Sequence, residues 1–254
     1  MNRCPSCGGE LIAFGSTHRY CTFCGNTYGN DASAETKPVD NNQKKNFDTG
    51  ANVFENNINS VLEIQWTDGR YRHSGSGFVI SADGYAITNT HVVTAENGAS
   101  CGSVKVRVGD LITAEADVCK LGDDAHGHGS GIDLALIKLK NAGNLRPARF
   151  GDFDDVRNGE QIFVIGNSLG YGTCITSGIV SDKRRDVEGK PLLMTDCAIN
   201  GGNSGGPMFN AAGEVIAVIV SGITGAEGMN FAIPADDVIA FIDRCGEHIN
   251  IRKS

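Results

Sequence analysis

The sequence predicts a mostly β protein: an antiparallel barrel or sandwich, closed by a C-terminal helix and preceded by a small cysteine-stapled module. Three observations carry this. Short apolar runs bounded by glycine and Asp-Gly turns recur over residues 61–220, a helical pattern follows Pro234, and two Cys-x2-Cys pairs stand together near the N-terminus.

Residues 1–28 hold Cys4-x2-Cys7 and Cys21-x2-Cys24, with Gly8 and Gly25 directly after the pairs. Each knuckle turns two thiolates to one side of a tight turn, and two knuckles complete a tetrahedral sulfur site for which zinc is the expected metal. Leu11–Phe14 and His18–Tyr20 supply strands of a module too small to fold without that metal. The segment resembles a zinc ribbon, its zinc structural. Only Arg3 and Arg19 stand against Glu10, so docking of a protein partner or a structural role is expected rather than nucleic-acid binding. Residues 29–50, rich in Asn, Asp, Ser, Thr and Lys, show no periodicity and read as a flexible linker.

A helical stretch, Ala51–Asn57, opens the larger domain, expected over 51–246 with a tail at 247–254. Strand-like runs follow at Val61–Trp66, Gly77–Ile80, Tyr85–Thr88, Val104–Val108, Leu134–Leu139, Gln161–Ile165, Ser177–Val180, Leu192–Thr195 and Val215–Val220. The closing helix, Asp236–Arg244, carries acids in its first turn and arginine at its end, as the helix dipole favours.

The 254 residues, 40% hydrophobic, suffice for a substantial core. No apolar run approaches the roughly 18 residues of a membrane span, so no membrane role is expected. The first seven residues lack the apolar core of a signal peptide. A net charge of −8 and a pI near 5.2 argue against broad attraction to nucleic-acid phosphates or anionic lipid. Nine cysteines, five of them scattered, form no disulfide framework, although Cys101 and Cys119 are a candidate pair. With no export signal, the expected compartment is the cytoplasm.

The stretch Asn200-Gly-Gly-Asn-Ser-Gly-Gly-Pro207 has the composition of a nucleophile loop. A serine that attacks a carbonyl needs an exposed Oγ and backbone N–H groups aimed at the developing oxyanion, and Gly201, Gly202, Gly205 and Gly206 free the backbone around Ser204 for both. A glycine-rich surface turn with an incidental serine has the same composition. The serine also needs a base and a group to orient that base. His91 ends an apolar strand, and Asp133 begins another. His18, His73 and His248 lie in the ribbon, before a turn and in the tail, while His126 and His128 read as a solvated loop rather than a metal site.

Read together, local words match a family: Gly75-Ser-Gly-Phe78, Thr88-Asn-Thr-His-Val-Val93, Asp133-Leu-Ala-Leu136, Ile165-Gly-Asn-Ser-Leu-Gly170, Thr176-Ser-Gly-Ile-Val180, Thr195-Asp-Cys-Ala-Ile-Asn200, Gly202-Asn-Ser-Gly-Gly-Pro207 and Asn230-Phe-Ala-Ile-Pro234. Over residues 51–244 the chain resembles the protease domain of the HtrA (Deg) branch of the trypsin-like serine proteases. The resemblance implies two perpendicular six-stranded antiparallel β-barrels with the site between them. It also implies His91 as general base, Asp133 as its orienting partner, Ser204 as nucleophile, and the N–H groups of Gly202 and Ser204 as oxyanion hole. The implied reaction is ATP-independent hydrolysis of protein or peptide substrates through an acyl-enzyme, with no cofactor for catalysis. Gly166-Asn-Ser-Leu-Gly170 also fits a hydrolase nucleophile elbow, but strands follow it and only the tail His248 lies usefully downstream, so that reading is set aside.

Departures shape the expectation. Asn203 stands where digestive trypsins pair an aspartate with a freed N-terminus, so activation by cleavage is not expected and loop order takes its place. Loops resembling the family's regulatory ones run from Leu169 to Gly189, with Lys183-Arg-Arg185, and from Ser221 to Gly228. Ala198 and Ser221 are placed in the substrate pocket. Ala198 occupies the position of the trypsin pocket aspartate, which favours a small aliphatic residue before the cut. HtrA proteins carry PDZ domains after the protease and often form trimers; here the sequence stops at Ser254 and leaves monomer or trimer open, and the ribbon is expected to serve for docking. The rival reading is a scaffold or binding protein that keeps the protease fold without useful activity.

Overall fold

The computed structural model describes residues 3–4, 10–14, 18–21, 27–29, 49–109, 112–122, 131–140, 145–222 and 228–254. The chain divides into two units, Met1–Phe47 and Asp48–Ser254. In the first, strands β1 (Leu11–Phe14), β2 (His18–Cys21) and β3 (Thr27–Gly29) form an antiparallel sheet in that order. An isolated bridge joins Arg3 to Glu10, and Leu11 pairs with Cys21, so the backbone brings Cys4 and Cys21 toward one end of the sheet. Cys7, Cys24 and most of the expected linker lie outside the described residues.

The second unit opens with helix α1 (Thr49–Asn57) and then forms a closed barrel from β4 (Val61–Thr67), β5 (Arg72–Val79), β6 (Tyr85–Thr88), β7 (Ser103–Val108), β8 (Ile112–Leu121) and β9 (Ala135–Leu139), ordered β4-β5-β6-β9-β8-β7. Strand β7 shows the period-two logic plainly. Val104, Val106 and Val108 are buried while Ser103, Lys105 and Arg107 are exposed. Inside, Leu62, Ile64, Val79, Ala86 and Ile137 meet those valines.

A second barrel follows from β11 (Gln161–Asn167), β12 (Thr173–Val187), β13 (Lys190–Thr195), β16 (Asn230–Pro234), β15 (Val215–Gly222) and β14 (Pro207–Phe209), closed by pairing of β14 with both β11 and β15. Two short strands, β10 (Arg149–Phe150) and β17 (Arg252–Lys253), extend it beyond β15. The protein therefore has the expected architecture of two six-stranded antiparallel barrels and a C-terminal helix, α2 (Ala235–Arg244). Phe78, Ile87 and Leu136 of the first barrel join Phe150, Ile165 and Phe209 in one buried cluster, which welds the barrels together. Phe78 meets Phe150 edge-on at 5.9 Å, and burying each such ring stabilises by about 1.5–3 kcal/mol.

The expected loop from Leu169 to Gly189 is mostly strand, which extends the expected run Ser177–Val180 on both sides. Residues 173–187 run as β12, and the hairpin to β13 turns tightly through Glu188 and Gly189, both at positive φ as a type I′ turn requires. Bulges interrupt its pairing near residues 181 and 183–184, which blurred the alternation. The cations expected in a regulatory loop are tied down instead. Lys183 Nζ donates to the Asp154 carbonyl at 2.9 Å, and Arg184 pairs with Asp236 and Asp237 in the first turn of α2. In the second expected loop, Ser221 and Gly222 end β15 and residues 223–227 lie outside the described residues.

Candidate active site

Strands β6 and β9 pair with Thr88 opposite Ala135, so the residues just after β6 and just before β9 meet at the barrel rim. His91 and Asp133 occupy those positions. The Asp133 carboxylate, almost fully buried, lies 2.6 Å from His91 Nδ1 through Oδ2 and accepts the His91 backbone N–H through Oδ1 at 3.1 Å. Neighbours lock the corner: Asn89 Nδ2 donates to the Asp133 carbonyl and Thr90 Oγ1 to the Leu134 carbonyl, both at 2.7 Å. Trp66 Nε1 holds the Val92 carbonyl at 2.7 Å, and the indole is itself stacked on His73. With Nδ1 committed to Asp133, the remaining ring nitrogen of the partly exposed His91 is the one available to accept a proton.

Ser204 sits in the turn between β13 and β14. Its carbonyl accepts the Ser76 N–H at 2.9 Å, and its Oγ donates to the Val220 carbonyl at 2.8 Å. No hydrogen bond joins Ser204 to His91 among the described residues. Gly205 shows why glycine is needed here: at φ +82° a Cβ would lie 2.3 Å from the Ser76 carbonyl oxygen. The peptide joining Gly201 to Gly202 is trans, and Leu169 N–H holds the Gly201 carbonyl at 2.7 Å, which turns the Gly202 N–H to the opposite side. Leu169 does this from a left-handed backbone (φ 53°), a strained conformation for a branched side chain. It belongs to a single 3-10 turn, Ser168–Gly170, between β11 and β12, so the strand-turn-helix of a hydrolase elbow is absent there.

Ala198 is exposed, with its carbonyl held by Thr176 Oγ1 at 3.0 Å. Ser221 follows Val220 in β15 opposite Phe231. Buried Asn230 pairs in register with both Thr195 and Gly222, bridging the strands that lead to Ala198 and Ser221, and its Nδ2 donates to the Cys197 carbonyl at 2.8 Å. The sequence words contained Asn230, Ser76 and Leu169 without distinguishing them. Each is found only through main-chain partners remote in sequence.

Among the described residues, no group of three or more His, Cys, Asp or Glu side chains could hold a metal. Of the proposed zinc ligands, Cys4 is buried and Cys21 lies in β2; His126 and His128 lie outside the described residues. Cys101 and Cys119 are unbridged thiols.

Residues 75–218 match the family model for a trypsin-like peptidase domain. A curated relative from Ectopseudomonas mendocina (strain ymp), named "Probable periplasmic serine endoprotease DegP-like", is 40% identical over 177 residues, covering 66% of this chain and 35% of its own length. A "Probable serine protease do-like" from Buchnera aphidicola subsp. Acyrthosiphon pisum (strain APS) is likewise 40% identical, covering 66% of this chain and 34% of its own. The solved HtrA-type protease AlgW with tripeptide aligns with a TM-score of 0.68 at 31% identity over 78% of this chain and 64% of that one. The serine endoprotease from Yersinia pestis aligns with a TM-score of 0.64 at 26% identity over 77% of this chain and 65% of that one. The chain spans about a third of the length of the curated relatives it matches.

These relatives correct the compartment. Those from Ectopseudomonas mendocina, Pseudomonas fulva and Pseudomonas putida are named periplasmic, which overturns the cytoplasmic expectation. The thiols were a poor marker of a reducing environment. Burial pushes Cys101 up to about 11 and also raises Cys197 and Cys245, so these three thiols are weakly ionised and carry little information about the redox compartment.

Proposed function

Because the chain belongs to the trypsin-like peptidase domain family, we propose that it is a serine endopeptidase acting on protein or peptide substrates outside the cytoplasm, as its periplasmic relatives are named to do. The observation that carries this reading is the 2.6 Å contact between His91 Nδ1 and buried Asp133, which commits one ring nitrogen and leaves the other for Ser204. In the proposed reaction Ser204 Oγ turns from Val220 to His91, loses its proton to that imidazole and attacks the scissile carbonyl. The N–H groups of Gly202 and Ser204 stabilise the oxyanion, and Asp133 stabilises the imidazolium. His91 then protonates the leaving amine, and a water activated by the same histidine releases the acyl group. Ala198 and Ser221 are the proposed pocket residues, and the absence of a carboxylate at Ala198 favours small aliphatic side chains over Lys or Arg.

A fluorophosphonate probe tests the reading: labelling abolished by Ser204→Ala is expected, and equal labelling of both proteins would refute it. A peptide-library digest dominated by basic residues before the cut would overturn the pocket assignment. One observation favours the second reading, a silent scaffold, since the Ser204 hydroxyl rests on Val220. Wild type that neither labels nor cleaves would favour it, or a latent enzyme that awaits an activator.

The N-terminal segment is proposed to bind zinc through Cys4, Cys7, Cys21 and Cys24. The convergence of Cys4 and Cys21 on one end of the β1-β2-β3 sheet supports this, as does the thiolate donor set. The metal would hold the sheet together, and the ribbon would dock a protein partner. Removing residues 1–30 should spare cleavage of a short peptide and impair handling of the physiological partner.

A further inference from the structure

Ser76 lies in β5, in the first barrel, and has no part in the proposed triad or pocket. It is completely buried, and its polar atoms all reach the nucleophile loop or the segments that support it. Its N–H donates to the Ser204 carbonyl at 2.9 Å. Its carbonyl accepts from Thr88 Oγ1 at 2.7 Å. Its hydroxyl accepts the Asn167 N–H at 2.9 Å and donates to the Gly202 carbonyl at 2.7 Å. An amide N–H can only donate, so the hydroxyl proton is committed to Gly202.

Both carbonyls that flank Gly202 are therefore pinned, that of Gly201 by Leu169 and that of Gly202 by Ser76. Gly202 needs such restraint, because at φ +95° and without a Cβ its backbone has little intrinsic barrier to rotating its N–H elsewhere. We infer that Ser76 is a positioning residue of the oxyanion hole: its hydroxyl clamps the 202–203 peptide through the Gly202 carbonyl and, together with Leu169 on the 201–202 peptide, keeps Gly202 from rotating its N–H away from the oxyanion. The inference rests on the reading of Ser204 as nucleophile. A donor pre-aimed in this way acts on the transition state and leaves ground-state binding almost unchanged.

The test compares the full chain with Ser76→Ala. Expected is a ~10–100-fold fall in kcat with KM within about twofold, since losing an oxyanion donor outright costs about 10²–10³. Peptide affinity, measured in a Ser204→Ala background, should not change. An unchanged kcat would overturn the inference, and so would a parallel loss of peptide affinity, which would mark the hydroxyl as merely structural. Ser76→Ala leaves the Gly202 carbonyl and the Asn167 N–H without this partner in a buried setting, so a second measurement avoids the substitution. In a crystal structure of the unaltered protein with a peptide boronic acid on Ser204, Ser76 Oγ should remain on the Gly202 carbonyl while the Gly202 N–H meets a boronate oxygen. A Gly202 carbonyl that has left Ser76 in that adduct would refute the clamp. Wild type that neither hydrolyses peptide nor takes up the boronate would refute the proposed function itself and the inference with it.

Discussion

Ser204 Oγ donates to the Val220 carbonyl at 2.8 Å, so the hydroxyl rests on main chain while His91 is held separately by Asp133. Exchanging one neutral hydrogen bond for another is worth about 1 kcal/mol, a small barrier beside a catalytic effect. Catalytic contacts that are loose before substrate arrives commonly tighten in the complex. Ser204→Ala should therefore lower unfolding free energy by about 1 kcal/mol in a denaturant melt while reducing kcat by roughly 10⁶-fold. A large loss of stability with modest loss of turnover would contradict both halves.

Asp133→Asn tests the orienting role. An amide can still accept the His91 backbone N–H, but its NH2 group facing Nδ1 would force the other imidazole tautomer and occupy Nε2 with a proton. Peptide hydrolysis near pH 7 should fall by about 10⁴-fold with little change in fold. A loss under tenfold would remove Asp133 from the mechanism.

Asn203 is buried, and its Oδ1 has no hydrogen-bond partner among the described residues. Asn203→Asp would place a carboxylate there with no cation paired to it among the described residues. The expected cost is about 3–5 kcal/mol near neutral pH, read as a lowered denaturation midpoint. Unchanged stability would mean that a cation or a freed N-terminus reaches this position after all.

Glu63 joins the barrels. Its buried carboxylate accepts from Arg107 Nη2 at 2.6 Å and from Thr173 Oγ1 at 2.8 Å. Burial alone would raise its pKa, but the bonds from Arg107 and Thr173 outweigh burial and hold the carboxyl below its ordinary value. A depressed folded value contributes stability that is present above the unfolded pKa and lost as pH falls through the folded one. The stability gap between wild type and Glu63→Gln should therefore be full above about pH 5 and close as the pH falls below about 4.3. A gap that widens on acidification would reverse the assignment.

Legibility followed periodicity. β7 was plain because every second residue is valine, whereas β8, Ile-Thr-Ala-Glu-Ala-Asp-Val-Cys-Lys-Leu, mixes small and charged residues and was missed. β14 is three residues long, and β16 is buried throughout, so neither alternates. β12 shows only Ser177–Val180 as an apolar run, because bulges break its alternation beyond Val180.

By itself the sequence determined which chemistry is within reach. It placed His91 and Asp133 at strand ends, surrounded Ser204 with glycine, and carried enough short apolar runs to call for an antiparallel barrel or sandwich, which the family resemblance narrowed to two barrels. Tertiary structure decided where each proton and carbonyl points. The partners of the Ser76 hydroxyl lie 91 and 126 residues away, and the partner of the Ser204 hydroxyl is a main-chain oxygen that no residue type reveals. Such bonds depend on the closure and docking of two barrels, which bring backbone groups together independently of side-chain identity.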